Sequence, residues 1–454
     1  MKKYLILILL ISQLVSQSTA QKSPWKSLFD GKTLKGWKIL NGTARYEIKD
    51  GVIIGTAVAN SPNTFLSTEQ DYGDFILECE VNVDEGLNSG IQFRSLSKPD
   101  FENGRVHGYQ MEIDASDRSY SGGIYDEARR GWLYVPEINP DGMKAFKRNN
   151  QWNKYRIEAI GTSLRTFING VEVANVIDDV TTRGFISLQV HALIAKTDEG
   201  KQVRWRNVRI QTENLKSSPQ TGIRVENFLL NNISENEKTQ GWKPLFNGQN
   251  FDGWRAIYKD KMPEKRWKIT DGVLSVSSSD GGETGNDIVS TGQFAAFELA
   301  FDFKLTDGAN SGIKYFVSEK YDTGGKSGIG LEFQVLDDAK HPDAKLGVVG
   351  NRTVGSLYDL IPADKEGHRS RAVKKIGDWN KGRVVVYPDN RVVHFLNGFK
   401  VVEYTRGDKI YQALVARSKY KDWEGFGMAA KGHILIQDHG DNVFFKNIKI
   451  RELK

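Results

Sequence analysis

Most of this sequence consists of two similar copies, and that duplication constrains the fold more than any other feature. Short motifs of the first half return in the same order in the second half, for example Asn88-Ser89-Gly90-Ile91 as Asn310-Ser311-Gly312-Ile313 and Trp152-Asn153-Lys154 as Trp379-Asn380-Lys381. Many ordered matches over such a long period indicate a tandem domain. We therefore predict a leader at 1–20, a first domain at 21–211, a linker at 212–241 and a second domain at 242–454.

The second copy is the longer one. Trp25 and Trp242 are 217 positions apart, whereas Gln189 and Gln437 are 248 apart. Insertions in the second copy account for the difference, one in the loop after Asp338 and the largest between residues 398 and 432. Long loops on a rigid sheet commonly carry specificity. The largest insertion contains Lys419, Tyr420, Trp423 and Glu424.

Period-two alternation dominates both copies. In FILECEVNV (residues 75–83) and FELAFDFKL (297–305), apolar and polar residues alternate between Gly, Asn and Asp turn signals. No stretch has the pattern of a long amphipathic helix. An all-β fold follows, with each copy forming a β-sandwich or jelly roll of two sheets.

Charge excludes several classes of partner. The chain has 63 basic and 57 acidic residues, a net charge of +6, and two of the lysines lie in the predicted leader. Such a small excess over 454 residues does not favour nucleic acid or a membrane surface.

The first twenty residues are typical of an export signal. Lys2 and Lys3 precede an apolar run, and Ser18-Thr19-Ala20 is a small-residue cleavage site. No Cys follows that site, so we expect a periplasmic or secreted protein without a lipid anchor. Cys79, the single cysteine, falls in the apolar register of its strand and is expected in the core.

Several motifs carry a family resemblance. WKPLFNGQNFDGW, NSGIKYFV, GLEFQVLDD, HPDAKLGVVGNRTVGSLYDLIP and GHILIQDHGDNVFFKNIKIREL closely resemble the 3-keto-disaccharide hydrolase family, and both copies match it. The resemblance implies two tandem concanavalin A-like jelly-roll sandwiches, related to family-16 glycoside hydrolases. It also implies a carbohydrate substrate already oxidised to a ketone at sugar carbon 3, and thus a separate sugar 3-dehydrogenase that supplies it.

The implied chemistry needs three groups. A ketone at C3 acidifies the hydrogen on C2, so a base can remove it, and the C1 substituent then leaves by elimination before water adds. The site requires a base, a donor for the enolate oxygen and an acid for the leaving group. An ordinary glycosidase instead requires two carboxylates flanking the bond.

In the second copy, the polar face of strand 331–336 supplies the first candidates. Glu332 is a candidate base, His439 a candidate base or metal ligand, and Lys314 a candidate for the enolate oxygen. The predicted substrate-binding residues of this copy are Gln334, Arg352, Tyr358 and Gln437. Asp337, Asp338 and His341 form a candidate metal site, although their spacing matches no fixed metal motif.

The first copy departs from this set. Gln110 and Glu112 stand where the second copy has Glu332 and Gln334, so the two residue types are exchanged. Gln92 takes the place of Lys314, and Arg94 lies two residues further on the same strand face. Arg94, Asp114 and His191 are further candidates for sugar binding in this copy. This copy is a second active site, a carbohydrate-binding site or one wall of a shared cleft.

Three functions remain open. The first is cleavage of 3-keto-glycosides, the second is family-16-like hydrolysis of unmodified glucan, and the third is carbohydrate binding without turnover. No cofactor is assigned with certainty, and a divalent metal is the one alternative.

Overall fold

The computed structural model describes residues 23–148, 150–193, 198–277, 285–321, 327–364 and 373–454, so the predicted leader lies outside the described residues. Strands predominate. Those of the first half are β1 (Trp25–Ser27), β2 (Trp37–Asn41), β3 (Arg45–Lys49), β4 (Val52–Thr56), β5 (Thr64–Thr68), β6 (Phe75–Val83), β7 (Asn88–Leu96), β8 (His107–Asp114), β9 (Ile124–Glu127), β10 (Gly131–Tyr134), β11 (Asn153–Ile160), β12 (Ser163–Ile168), β13 (Val171–Ile177), β14 (Phe185–Val190), β15 (Gln202–Gln211) and β16 (Glu226–Asn227).

The second half repeats the pattern. Its strands are β17 (Lys243–Pro244), β18 (Trp254–Ala256), β19 (Trp267–Thr270), β20 (Val273–Val276), β21 (Ile288–Ser290), β22 (Phe297–Leu305), β23 (Asn310–Ser318), β24 (Ile329–Leu336), β25 (Asn380–Val386), β26 (Arg391–Leu396), β27 (Phe399–Thr405), β28 (His433–Ile436) and β29 (Val443–Glu452). The described helices are short: α1 (Pro140–Met143), α2 (Glu235–Thr239), α3 (Lys409–Val415), and 3-10 turns at Pro136–Ile138 and Pro342–Lys345. Within these ranges no helix has the length and apolar character needed to cross a membrane.

Each half forms two sheets. In the first half, one sheet runs β16-β13-β12-β11-β6-β15-β4-β3 with β1 added beside β15, and the other runs β10-β9-β8-β7-β14-β5-β2. In the second half, the sheets run β19-β20-β29-β22-β25-β26-β27, with β17 beside β29, and β18-β21-β28-β23-β24. The all-β prediction is confirmed: the protein is two tandem concanavalin A-like jelly-roll sandwiches.

The alternation seen in the sequence places the core between the two sheets of each half. Cys79 is buried in the first core, as predicted. In the second core, Phe333 of β24 packs edge-on against Phe301 of β22 at 5.3 Å between ring centroids. Glu332 and Gln334, the intervening residues of β24, therefore face away from that core.

The duplicated tryptophans show how closely the copies correspond. Trp37 and Trp254 are both buried, and each indole donates a 2.8 Å hydrogen bond, to the carbonyl oxygens of Leu28 and Leu245 respectively. Both side chains therefore pack in equivalent places in the two copies.

The connection between the copies is more ordered than the polar linker predicted from composition. β16 pairs parallel with β13, and Ser234 caps α2 through a capping box with Glu237. Buried ion pairs join the segment to the second half, among them Arg224 with Glu298 and Lys449 with Glu237. Long polar side chains thus serve here as interdomain contacts, which composition alone does not reveal.

Candidate active site

Strand register brings the main candidates of the second copy together. In the antiparallel pair β23–β24, Lys314 lies directly opposite Glu332, and Gly312 lies opposite Gln334. On the other side of β23, the backbone N–H of Gln437 donates to the carbonyl oxygen of Gly312 at 3.0 Å. Gly312 must be small because a side chain there would collide with the Glu332 carboxylate.

These residues line one cavity of about 280 Å³. Six of the predicted site residues line it, together with residues of the large insertion. The lining comprises Asn310, Lys314, Ser327, Gly328, Ile329, Gly330, Glu332, Gln334, Tyr358, Lys419, Tyr420, Trp423, Gln437 and His439.

Glu332 is the acid of this cavity among the residues described, and burial displaces its pKa. The residue is only 4% exposed, and no hydrogen bond to its carboxylate is found among the residues that the structure describes. Burial raises its pKa above the ordinary 4.5, against the opposing influence of Lys314 and Lys419. A carboxylate in this state is a stronger base than a solvated one, and a raised pKa moves it towards the operating range of a general base.

Two lysines supply positive charge around that carboxylate. Lys314 is buried, and its ammonium group donates to the carbonyl oxygen of Gly328 at 3.0 Å. Lys419 lies 4.2 Å from the Tyr358 ring centroid, and burial lowers its pKa below the ordinary 10.5. Each ammonium can donate several hydrogen bonds, so both suit an oxygen that becomes negative during a reaction.

His439 stands at the mouth of the cavity, beside a second histidine. Its ring centroid is 5.8 Å from that of His341, and partial burial together with His341 lowers the pKa of His439 below 6.5. His439 is therefore neutral at neutral pH, as a general base must be.

His341, His439 and Asp441 form the candidate metal group. Across the described residues, this is where three potential ligand atoms come within 4.8 Å of one another. The backbone N–H of Asp343 donates to Nδ1 of His341 at 3.2 Å, which leaves the proton of a neutral ring on Nε2. In this state neither ring nitrogen of His341 has a free lone pair for a metal. The three residues therefore bind a cation only after His341 gives up its hydrogen bond from the Asp343 N–H.

The predicted set of Asp337, Asp338 and His341 is not assembled in this way. Asp337 accepts the backbone N–H groups of Gly308 and Ala339, and Asp338 accepts that of Val354. Both carboxylates thus organise the loop after β24, and His341 is grouped with His439 and Asp441 instead.

Arg352 supports a residue of the cavity without lining the cavity itself. Its guanidinium pairs with Asp343 and Asp359, and Asp343 also accepts the Tyr358 hydroxyl at 2.8 Å. Arg352 is therefore placed to hold Tyr358 rather than to line the cavity. Gln334 does line it, and its side-chain oxygen is buried with no hydrogen-bond partner among the described residues.

The first copy has a corresponding cleft of about 260 Å³ with different chemistry. Gln92 lies opposite Gln110 on β7 and β8, and their amides are hydrogen bonded at 2.7 Å. Glu112 and His191 lie in the same cleft. Its lining comprises Asn63, Asn88, Gln110, Glu112, Arg118, Tyr125, Glu127, Trp132 and His191.

Two first-copy candidates, Arg94 and Asp114, do not line the cleft. Arg94 does not face the cleft: a register shift in β7 follows Phe93, Arg94 has a φ of 46°, and its fully buried guanidinium bonds Asp74 and the carbonyl oxygens of Gly73 and Gly161. Asp114 accepts from Ser116, Arg118 and Tyr120 and so fixes the next loop.

Sequence reasoning missed Lys419, Tyr420 and Trp423 as cavity residues, although the position of the large insertion indicated that loop. It also missed Asp441, whose one signal is its place two residues after His439.

The sequence profile of 3-keto-α-glucoside-1,2-lyase-like domains matches residues 24–211 and again residues 241–451. The chain belongs to this family. A 3-keto-disaccharide hydrolase of Bacteroides thetaiotaomicron is 37% identical over 236 residues, which is 47% of this chain and 79% of that protein.

Two solved structures from Parabacteroides distasonis, both provisionally named glycosyl hydrolases, are also similar. One is 29% identical and covers 50% of this chain and 100% of its own, with a TM-score of 0.43. The other is 30% identical and covers 47% and 99%, with a TM-score of 0.34.

Proposed function

We propose that the protein cleaves glycosides that carry a ketone at sugar C3, by 1,2-elimination in the second-copy cleft followed by addition of water. The observation that carries the proposal is the buried Glu332 carboxylate, which has no hydrogen bond from the part of the chain that the structure describes, in a cavity that also contains Lys314 and Lys419. Family membership and the name of the Bacteroides relative support a glycoside substrate.

In the proposed reaction, Glu332 removes the C2 proton and the C2–H electron pair forms the enolate with C3. Lys314 and Lys419 donate to the enolate oxygen, whose negative charge they offset. When the ketone re-forms, a C1–C2 double bond appears and the C1–O bond breaks. The departing oxygen takes a proton from water, and neutral His439, which lines the cavity, is placed to accept a hydrogen bond from that water and orient it.

Water completes the reaction: its hydroxide adds to C1, its proton is the one taken by the departing oxygen, and Glu332 supplies the proton that C2 needs. The net products are the 3-keto sugar and the released alcohol, so an elimination and a hydrolysis give the same final balance. Glu332, protonated in the first half of the reaction, exchanges this proton with solvent and then delivers a proton to C2.

Direct hydrolysis of an unmodified glycoside is less well supported. That mechanism needs a pair of carboxylates, and among the described residues that line the cavity Glu332 is the single carboxylate. Gln334 occupies the position next to Glu332 that a second catalytic carboxylate could take, and its amide cannot act as a general acid or base.

The decisive assay compares a 3-keto-glucoside with its unoxidised parent at equal concentration. The proposal expects release of alcohol from the keto compound and none from the parent. Turnover of the parent would favour the glucanase alternative, whereas binding of both without turnover would favour a carbohydrate-binding protein. We further propose that the protein is exported, and that a separate dehydrogenase forms the ketone.

A further inference from the structure

The first-copy cleft differs from the second one in the polar groups at its central cross-strand position. Where the second copy has Lys314 and Glu332, the first has Gln92 and Gln110, and a side chain at Gly90 would collide with Gln110. At this cross-strand position the first cleft thus has two neutral amides that bond each other in place of the ammonium donor and the base.

Those amides are tied into a directed chain of hydrogen bonds. The Ser95 hydroxyl donates to the oxygen of Gln92, the Gln92 amide donates to Gln110 at 2.7 Å, and the Gln110 amide donates to Glu112 at 3.0 Å. Asn88 donates to the other Glu112 oxygen at 2.6 Å. The chain uses one N–H of each glutamine amide and ends at Glu112, whose carboxylate accepts from Gln110 and Asn88 and lines the cleft.

Two further acceptors face the same space. Nδ1 of His191 donates to the carbonyl oxygen of Ala192 at 2.8 Å, so Nε2 of the neutral ring carries only a lone pair. Glu127 is buried, with an amide of Asn63 on one oxygen at 3.3 Å. Arg118 also lines the cleft, but its guanidinium donates to Glu112 at 3.3 Å and to Asp114 at 2.8 Å. Besides this engaged cation, a ligand meets the carboxylate oxygens of Glu112 and Glu127 and Nε2 of His191.

The spacing of these acceptors argues against one cation as the occupant. Glu112, Glu127 and His191 do not form a group whose ligand atoms come within 4.8 Å of one another in the described part of the chain. Separated acceptors instead match the hydroxyl groups spread around a sugar ring. Tyr125 and Trp132, whose ring centroids lie 5.2 Å apart, add an aromatic wall for the apolar C–H face of a sugar.

We propose that the first-copy cleft is a separate binding site for a glucose-type sugar whose C3 hydroxyl is not oxidised. A hydroxyl can donate to Glu112, Glu127 or Nε2 of His191, whereas a ketone has no hydrogen to donate. The first cleft holds the unoxidised sugar and the second cleft reacts with the ketone. Only the contrast with the second cleft rests on the proposed function, since sugar binding at the first cleft stands by itself.

The test uses the full chain in a Glu332→Gln background, which prevents turnover. Methyl α-D-glucoside and its 3-keto derivative are titrated by saturation-transfer NMR up to about 10 mM, a range that suits weak sugar affinities. We expect binding of the unoxidised glucoside, at least about fivefold weaker in His191→Ala and in Glu112→Gln, because each loses an acceptor. Asp141→Asn, an exposed carboxylate of the same domain, is the control and should bind as the parent does.

Thermal unfolding of every variant distinguishes loss of the site from loss of the fold. No binding of the unoxidised glucoside to the folded parent protein would overturn the proposal, as would equal binding in folded His191→Ala and Glu112→Gln. Failure of the wild type to cleave the 3-keto-glucoside, with first-cleft binding intact, would remove the proposed function and leave this inference standing.

Discussion

Lys314 and Glu332 lie directly opposite each other on neighbouring strands, and Gln92 and Gln110 occupy the same register in the first copy. One pair places a cation beside a base, and the other forms a neutral amide hydrogen bond. A single cross-strand position therefore separates a cleft equipped for proton abstraction from one equipped for hydrogen bonding.

Replacing the proposed base should abolish most of the activity. Glu332→Gln keeps the size of the side chain but cannot accept the C2 proton, so we expect kcat to fall about 10²–10⁴-fold on a 3-keto-glucoside. Steady-state kinetics measures the effect, and Glu403→Gln, an exposed glutamate of the same half, should retain wild-type rates. A Glu332→Gln protein with more than half of the normal kcat would exclude Glu332 as the base.

The pH profile should show a displaced acidic limb. Burial raises the pKa of Glu332 above 4.5, so the base becomes protonated, and activity falls, at a higher pH than for an ordinary glutamate. Burial also lowers the pKa of Lys419 below 10.5, so the alkaline limb should start early, and Lys419→Met should remove that limb. If kcat/KM fell as pH rose through the Glu332 pKa, Glu332 would be acting as an acid.

Activity should survive removal of divalent cations. The two lysines already provide positive charge, and the His341 ring uses Nδ1 as an acceptor, which disfavours metal binding in this geometry. After exhaustive chelation we expect kcat to change by less than about threefold, within the range of ordinary buffer effects on rates. A large loss restored by Mn²⁺ or Zn²⁺, and absent in Asp441→Asn, would instead assign a metal to His341, His439 and Asp441.

Ionisation of Glu112 in the first cleft should make the free energy of unfolding depend on pH. Burial raises the pKa of Glu112 to about 7, so the folded protein holds this proton more tightly than the unfolded chain. Below pH 4.5 this pKa shift contributes on the order of 3 kcal/mol to the free energy of unfolding, and the contribution is lost as pH rises to about 7. Between pH 5 and pH 8, denaturant unfolding of Glu112→Gln should therefore lose less stability than that of the wild type. Equal losses in both proteins would contradict the shift.

Local pattern predicted the parts of this molecule that depend on one strand or on the duplication. Alternation placed Glu332 and Gln334 on one face, and aligning the copies exposed their exchange with Gln110 and Glu112. Arg94 was expected on the cleft face, but a register shift after Phe93 interrupts the alternation of side chains. No sequence pattern predicted that shift. Lys419 was missed as a cavity residue because its loop closes over β24 from far along the chain.

The most direct test of the central claim follows the C2 hydrogen. The wild-type protein converts a 3-keto-glucoside in D₂O, and NMR or mass spectrometry reads the deuterium content at C2 of the released 3-keto sugar. Elimination and hydration predict deuterium at C2 in parallel with cleavage, because the abstracted proton exchanges with solvent before it returns. Cleavage with the original hydrogen retained at C2, against a control that corrects for spontaneous exchange of the product, would contradict the enolate mechanism.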